Sequence, residues 1–287
     1  MLPQSLPDFD SLWDYNHPDL TETRFREILL QFPEEEPAFL ELLTQVARAQ
    51  GLQHKFNQAH QTLDQVERRL REAPSRAKVR YLLERGRVLN SSGEPEQARP
   101  LFEQALEMAR ALHEDFYAVD ALHMLAIIAS PDQSLALNLQ AIEMAESSQQ
   151  EKAQNWLGSL YNNMGWSYHD IGEYSAALGI FKKAEAWQRS KGRARETQIA
   201  SWCVARTLRS LGRIEEALSR QMKLNEESAG EEDGYVSEEI GECLLVLNRL
   251  EEARPHFAKA YELLSQDVWL MEKEPERLGR LKEIGGS

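Results

Sequence analysis

The stretch "YNNMGWSYHDIGEYSAALGIFKKA", residues 161–184, places glycine and alanine where helices usually carry bulky side chains. If Gly172 is a turn, four residues share one face of the helix before it: Tyr161, Met164, Gly165 and Tyr168. After the turn, spacings of four and three put Ala177, Phe181 and Ala184 on one stripe. A glycine inside a helix costs about 1 kcal/mol relative to alanine, so Gly165 predicts that the second helix approaches closely there. The stretch therefore predicts a tightly packed helix pair with one face left for another pair.

The same frame recurs in "RGRVLNSSGEPEQARPLFEQALEMA", residues 85–109, and in "IGECLLVLNRLEEARPHFAKA", residues 240–260. Their small and aromatic residues fall at matching offsets: Gly86, Gly93, Ala98, Phe102 and Ala105 in the first copy, and Gly241, Asn248, Ala253, Phe257 and Ala260 in the second. Pro100 and Pro255 share one offset, which we expect to lie in the first turn of a helix, where proline removes no intrahelical hydrogen bond. Weaker copies predict turns near Gly51, Ala129 and Gly212.

This order of a glycine, an aromatic residue, an alanine, a phenylalanine and a second alanine resembles the tetratricopeptide repeat family. The resemblance covers about residues 37–265. It implies an all-α fold, a right-handed α-solenoid of about six helix pairs. Such a solenoid leaves apolar faces open at both ends, so we expect residues 1–36 to hold a capping helix that begins near Pro18 and residues 266–287 to form a C-terminal capping helix.

Charge and cysteine content restrict the class of partner. The chain has 33 Lys and Arg against 47 Asp and Glu, a formal net charge of −14, which disfavours nucleic acid and anionic membrane surfaces. Cys203 and Cys243 are too few for a disulfide scaffold and are expected to be core thiols. The start "MLPQSLPDFD" does not resemble a secretory signal, and the longest nearly apolar run, residues 121–129, is too short to cross a bilayer. The sequence predicts a cytoplasmic protein.

No motif in the sequence indicates catalysis. Glycine loops of the dinucleotide and P-loop types, HExxH and GxSxG are all missing from the sequence. His54 and His60 are six residues apart, which would put them on different sides of a helix. The acidic run at residues 225–239 is the best candidate for a cation site, but its spacing favours a solvated loop. We therefore expect no enzymatic activity, no metal and no cofactor.

The family resemblance implies a concave groove lined by the residues thirteen, ten, six and three positions before each turn. Twelve residues are predicted to contact a partner there: Arg80, Arg87, Asn90, Phe116, His123, Asn162, Trp166, His169, Trp202, Arg206, Arg209 and Tyr235. The four central stripes carry four arginines and no acidic residue, so we expect a protein or peptide segment with acidic residues and an aromatic or apolar anchor. Alternatively, Trp166 and Trp202 only pack against their neighbours and the arginines only keep the surface soluble.

These features predict a non-enzymatic module that binds a segment of another protein in a rigid groove. The alternative is a regulatory sensor, in which a short peptide or small ligand changes the pitch of the solenoid. Chaperone-binding members of the family hold two carboxylates with lysine, arginine and asparagine at set positions. Trp166 and Leu83 occupy two of those positions here, so chaperone tails are not expected as partners.

Overall fold

A computed structural model describes residues 9–34, 36–227 and 232–286. All regular secondary structure in these ranges is helical. The all-α prediction is confirmed. Residues 1–8 of the predicted N-terminal cap and residues 228–231 of the predicted acidic loop lie outside the described residues. Contacts divide the chain into an N-terminal unit, Met1–Leu160, and a C-terminal unit, Tyr161–Ser287.

The N-terminal unit begins with a 3-10 helix, Phe9–Leu12. In the described part of this unit it is followed by α1 (Pro18–Leu29), α2 (Pro37–Leu52), α3 (Phe56–Glu67), α4 (Arg76–Ser91), α5 (Pro95–Ala111), α6 (Asp115–Ile127), α7 (Pro131–Ser147) and α8 (Glu151–Gln154). Neighbours in sequence pack together in the pairs α2 with α3, α4 with α5, and α6 with α7, and the first helices α2 and α4 also contact each other. The division between the units falls within α9 (Leu157–Asp170).

The C-terminal unit repeats the arrangement. Its further helices are α10 (Tyr174–Ser190), α11 (Ala194–Ser210), α12 (Ile214–Glu227), α13 (Gly234–Val246), α14 (Leu250–Leu264), α15 (Val268–Lys273) and α16 (Pro275–Gly285). The pairs α11 with α12 and α13 with α14 pack as in the other unit, and α16 lies against α14. None of the described helices combines the length and the apolar character needed to cross a bilayer.

Left-handed residues make the turns between most of the paired helices; residues 128–130, between α6 and α7, include none. Gly93, Gly172, Gly212 and Asn248 have φ angles of 91°, 82°, 74° and 61°, which confirms four of the predicted turns. In the first pair the left-handed residue is His54, with φ of 58°, whereas Gly51 lies inside α2. Helix α2 runs past the glycine to Leu52, and the Lys55 N–H donates to the Gln50 carbonyl at 2.9 Å, which closes the cap around His54.

Small residues let the paired helices approach, as predicted. A Cβ atom added to Gly165 would lie 2.6 Å from Cδ1 of Phe181, and one added to Gly86 would lie 2.8 Å from Cζ of Phe102. The residues of the second-helix stripe, Ala177, Phe181 and Ala184, are all buried. Each phenylalanine ring therefore fills the space that its glycine leaves open.

The two prolines depart from the prediction. Helix α5 begins at Pro95 and α14 at Leu250, so Pro100 and Pro255 are each the sixth residue of their helix, past the first turn. Proline has no N–H to donate there, so each helix lacks one interior hydrogen bond. The prediction failed because the helices begin one turn earlier than the proline suggested.

The two ends of the chain each contribute helices to a core. In α1, Phe25 and Leu29 are buried, and α1 packs on α2. The described residues 266–286 hold the helices α15 and α16, with Leu278 and Leu281 of α16 buried beside Phe257. The capping role of these ends remains a prediction.

Candidate protein-interaction surface

Three aromatic side chains follow one another on the first helices of successive pairs in the C-terminal unit. Trp166 of α9 and Trp202 of α11 have ring centroids 6.1 Å apart, and those of Trp202 and Tyr235 of α13 are 6.2 Å apart. The indole N–H of Trp202 donates to the Tyr235 carbonyl oxygen at 3.1 Å. We call these three residues the aromatic ladder.

The ladder is partly anchored and partly open to solvent. The ring of Trp166 stands edge-on to the buried ring of Phe181, with centroids 5.2 Å apart, while its own side chain stays partly exposed. Trp202 is likewise half-buried, and 37% of Tyr235 is exposed. The two tryptophans therefore pack against neighbours and still present surface, so the two interpretations made from the sequence do not exclude each other.

The arginines beside the ladder are paired with carboxylates of the same chain. Nε and Nη2 of Arg209 donate to the two oxygens of Glu239 at 2.8 and 2.9 Å, and Nε of Arg206 lies 3.0 Å from Glu239 Oε1. Only 6% of the Glu239 side chain is exposed. Further along the surface, Arg277 pairs with Glu238 and Arg280 with Glu242.

The predicted arginines of the C-terminal unit are therefore paired within the chain, since Arg206 and Arg209 share the carboxylate of Glu239. Each predicted stripe consists of four positions on one helix, and Glu239 is the residue next to one of these positions. Because an arginine side chain reaches across to the neighbouring helix, this acidic residue offsets part of the positive charge on the stripe. The ladder is flanked by paired charges.

The other predicted contacts of this unit lie beside the ladder. His169 has its ring centroid 5.2 Å from that of Trp166, and its Nε2 lies 2.9 Å from Ser210 Oγ. Burial, together with nearby Arg206, lowers the pKa of His169 below its usual value. Asn162 is half-buried, with its Oδ1 3.9 Å from the thiol of Cys203.

Both cysteines are free and buried, as predicted. Burial raises the pKa of the Cys203 thiol to about 12, and burial beside Glu239 raises that of Cys243 to about 12. A thiol with such a pKa is almost entirely protonated near neutral pH, which makes it a poor nucleophile. Neither cysteine is suited to covalent chemistry in this folded unit.

In the N-terminal unit, the predicted arginines are paired as well. Arg80 of α4 is buried and binds Asp10 and the hydroxyl of Tyr117. Arg87 binds Glu84 and Asp120, both of which are buried. These acidic residues lie outside the predicted stripes, as Glu239 does, so the stripes alone did not predict the pairing.

Three predicted residues of this unit remain half-buried: Asn90, Phe116 and His123. Phe116 and His123 both contact Trp156, with ring centroids 6.2 and 5.2 Å apart. Burial lowers the pKa of His123, since the opposing effect of Asp120 is smaller. Trp156 was not predicted from the sequence because it lies between the short helix α8 and α9, outside any repeat.

Comparison with known proteins agrees with the repeat pattern. Two family models, both described as tetratricopeptide repeat, match residues 80–116 and 158–191. These matches contain the glycine and phenylalanine positions of two of the helix pairs described above. The chain is a tetratricopeptide repeat protein. No curated protein matches its sequence.

Solved structures share the fold at low sequence identity. A signal-transduction ATPase with a tetratricopeptide repeat sensor from Pyrococcus horikoshii aligns at 13% identity with a TM-score of 0.72, over 92% of this chain and 41% of that one. The apo form of RapI aligns at 12% identity with a TM-score of 0.71, over 88% of this chain and 73% of that protein. A tetratricopeptide repeat protein from Parabacteroides merdae aligns at 16% identity with a TM-score of 0.52, over 97% and 96% of the two chains. At these identities the likeness concerns the fold alone.

Proposed function

We propose that this chain is a non-enzymatic interaction module that binds a segment of another protein on the aromatic ladder. Trp166, Trp202 and Tyr235 are partly exposed on three successive first helices, and the observation that carries the proposal is this continuous row of aromatic surface. Tryptophan and tyrosine are enriched among the interface positions that dominate binding energy. The repeat fold agrees with the proposal, because repeat solenoids use extended surfaces for binding.

The ladder is also held in place before any partner arrives. Trp202 is fixed by its hydrogen bond to the Tyr235 carbonyl, and Trp166 by its contact with Phe181. Side chains ordered in advance lose less conformational entropy on binding. A partner with a large apolar side chain would gain desolvated area there, and the paired arginines and glutamates would form a polar rim.

The test compares tryptophans on two kinds of helix. A partner is first isolated from the source cell by pull-down and mass spectrometry, and its binding segment is then titrated against purified variants. We expect Trp202→Ala to weaken binding by about 2 kcal/mol, roughly 30-fold. The matched control is Trp187→Ala, since Trp187 is a half-buried tryptophan on the second helix α10.

Equal losses in Trp202→Ala and Trp187→Ala would contradict the ladder as the site. A second control replaces Lys182 and Lys183, both exposed on α10, by alanine. A loss confined to the lysine variant would move the site to the surface of the second helices.

The sensor alternative predicts a different physical response. A scaffold keeps its radius of gyration when the partner segment binds, whereas a sensor that changes the pitch of its helices does not. Small-angle X-ray scattering of the chain with and without the segment separates the two, and an unchanged radius supports the scaffold.

A further inference from the structure

The segment Phe9–Asn16 lies across the first helices of the N-terminal unit. The carboxylate of Asp10 accepts hydrogen bonds from Arg80 of α4 at 2.7 and 3.3 Å, and it lies 3.5 Å from Nζ of Lys152. The indole N–H of Trp13 donates to Gln45 Oε1 of α2 at 3.0 Å. The guanidinium of Arg48 stands 5.6 Å from the ring centroid of Trp13. A single acidic and aromatic segment thus spans three helices.

The segment covers positions that the repeat frame assigns to partner binding. Arg80 is thirteen residues before the left-handed Gly93, and Arg48 is six residues before the left-handed His54, as Arg87 is before Gly93. Lys152, which faces Asp10, also stands 6.0 Å from the ring centroid of Phe116, another predicted contact. The chain itself therefore occupies the surface expected for a partner.

The contacts of Asp10 and Trp13 limit which partner segment could replace Phe9–Asn16. The Arg80 side chain is only 5% exposed, so its charge needs a carboxylate partner. Removing Asp10 without replacing it would leave a buried guanidinium without its carboxylate. A competitor must therefore bring an acidic group, and Gln45 and Arg48 favour an aromatic group with a hydrogen-bond donor beside it.

We infer that Phe9–Asn16 is an internal ligand of the N-terminal unit, displaced by a partner segment that carries an acidic residue three positions before a tryptophan. This inference rests on the proposed function as a protein-binding module and adds a second site with a defined partner chemistry. The internal segment keeps the site filled until such a partner is present, because a tethered ligand acts at an effective concentration of about millimolar.

A cavity next to the Asp10 site gives a partner contacts that the internal segment lacks. It has a volume of about 260 Å³ and is lined by Arg76, Glu114, Phe116, Tyr117, Gln150, Glu151 and Lys152. Tyr117 and Lys152 belong to both the cavity and the Asp10 site. A partner residue that follows the path of the segment into this cavity would add contacts and so outcompete the tethered ligand.

The experiment adds the sequence of the internal segment as a separate peptide. A fluorescent peptide with the sequence of residues 9–16, FDSLWDYN, is titrated against the full chain and against the full chain carrying Asp10→Asn and Trp13→Ala. We expect the variant to bind the peptide at least about tenfold more tightly, because its own segment no longer competes. Peptides carrying the same Asp→Asn or Trp→Ala change should bind the variant more weakly than the unchanged peptide.

The matched control is Asp267→Asn with Trp269→Ala, which removes an acid and a tryptophan from the C-terminal unit and should leave peptide affinity at the parent value. Equal peptide affinities of the parent and the Asp10 and Trp13 variant would overturn the inference, as would failure of a normally melting variant to bind the peptide. If the double variant does not fold, Asp10→Asn alone carries the comparison, with the same expected direction. Failure here leaves the Trp202→Ala test unaffected, because that test concerns the other unit.

Discussion

Gly165 and Phe181 meet so closely across α9 and α10 that a Cβ atom on the glycine would lie 2.6 Å from Cδ1 of the ring. Because Phe181 is fully buried, the ring has no open space into which to move. We expect Gly165→Ala to destabilise the chain by about 1–3 kcal/mol, although alanine is the better helix former. Urea unfolding followed by circular dichroism measures the change.

A second helical glycine gives the matched control with the opposite sign. Gly179 lies within α10, and a Cβ atom added there would meet nothing within 4 Å. Gly179→Ala should therefore stabilise the chain by up to about 1 kcal/mol. The same sign for both variants would contradict the close-approach explanation.

Ala177 tests the same packing from the second helix. It is fully buried in α10, so Ala177→Leu should overpack the pair and cost about 1–3 kcal/mol. Ala186, exposed on the same helix, provides the comparison, and Ala186→Leu should change stability by less than about 0.5 kcal/mol. An Ala177→Leu variant that melts like the parent would show that the predicted helical frame is wrong.

Much of the fold was predictable because local signals coincide with it. Gly93, Gly172 and Gly212 mark turns that require a left-handed residue, and glycine adopts that conformation at no steric cost. His54 takes the same conformation, but histidine indicates it far more weakly than glycine does, so the sequence pattern predicts the first turn three residues early, at Gly51. The repeat is therefore recognisable from the sequence wherever the backbone conformation favours one residue type, as it does at the left-handed glycines.

The electrostatics of the surface was less predictable because it depends on distant pairs. Asp10 and Arg80 are 70 residues apart, and their contact follows from the path of a segment that belongs to no repeat. Glu239 lies beside the counted stripe, yet it binds two arginines of the preceding first helix. Helical periodicity identifies faces of one helix, but it does not identify which side chains meet across two helices.

Glu239 gives a prediction about stability. Arg206 and Arg209 both bind this nearly buried carboxylate, so replacing both arginines by alanine should leave it without a cation and cost about 3–5 kcal/mol. Adding Glu239→Gln to that variant should recover part of the loss, because the uncompensated charge is then removed. A double-mutant cycle in urea measures this coupling, and an unrecovered loss would contradict it.

The C-terminal helices give a prediction about association. Leu270, Leu278 and Leu281 are buried against Phe257 and its neighbours, so removing residues 266–287 should expose that apolar surface. We expect the shortened chain to self-associate or to fray at α14 while keeping most of its helical signal. Sedimentation and circular dichroism test this, and a monomer with the parent melting curve would contradict a capping role.

His123 gives a prediction about pH. Its pKa in the folded chain lies below the ordinary value of 6.5 because burial disfavours the charged ring, and nearby Arg87 adds to the effect. As pH falls through about 6.5, the unfolded chain takes up a proton that the folded chain still excludes, so stability decreases. The free energy of unfolding should be lower at about pH 5.5 than at about pH 7, and His123→Gln should flatten that slope.

The two buried thiols can report local opening of the helices that surround them. Cys203 lies in α11 and Cys243 in α13, and each is shielded from a thiol reagent while its helix stays packed. Alkylation of each sulfur therefore requires the surrounding helices to open. The labelling rates of Cys203 and Cys243 then report the local opening of two neighbouring repeats separately, in one unmodified chain. If a ligand on the aromatic ladder clamps those helices, labelling of both thiols slows, and mass spectrometry reads that protection without any engineered label.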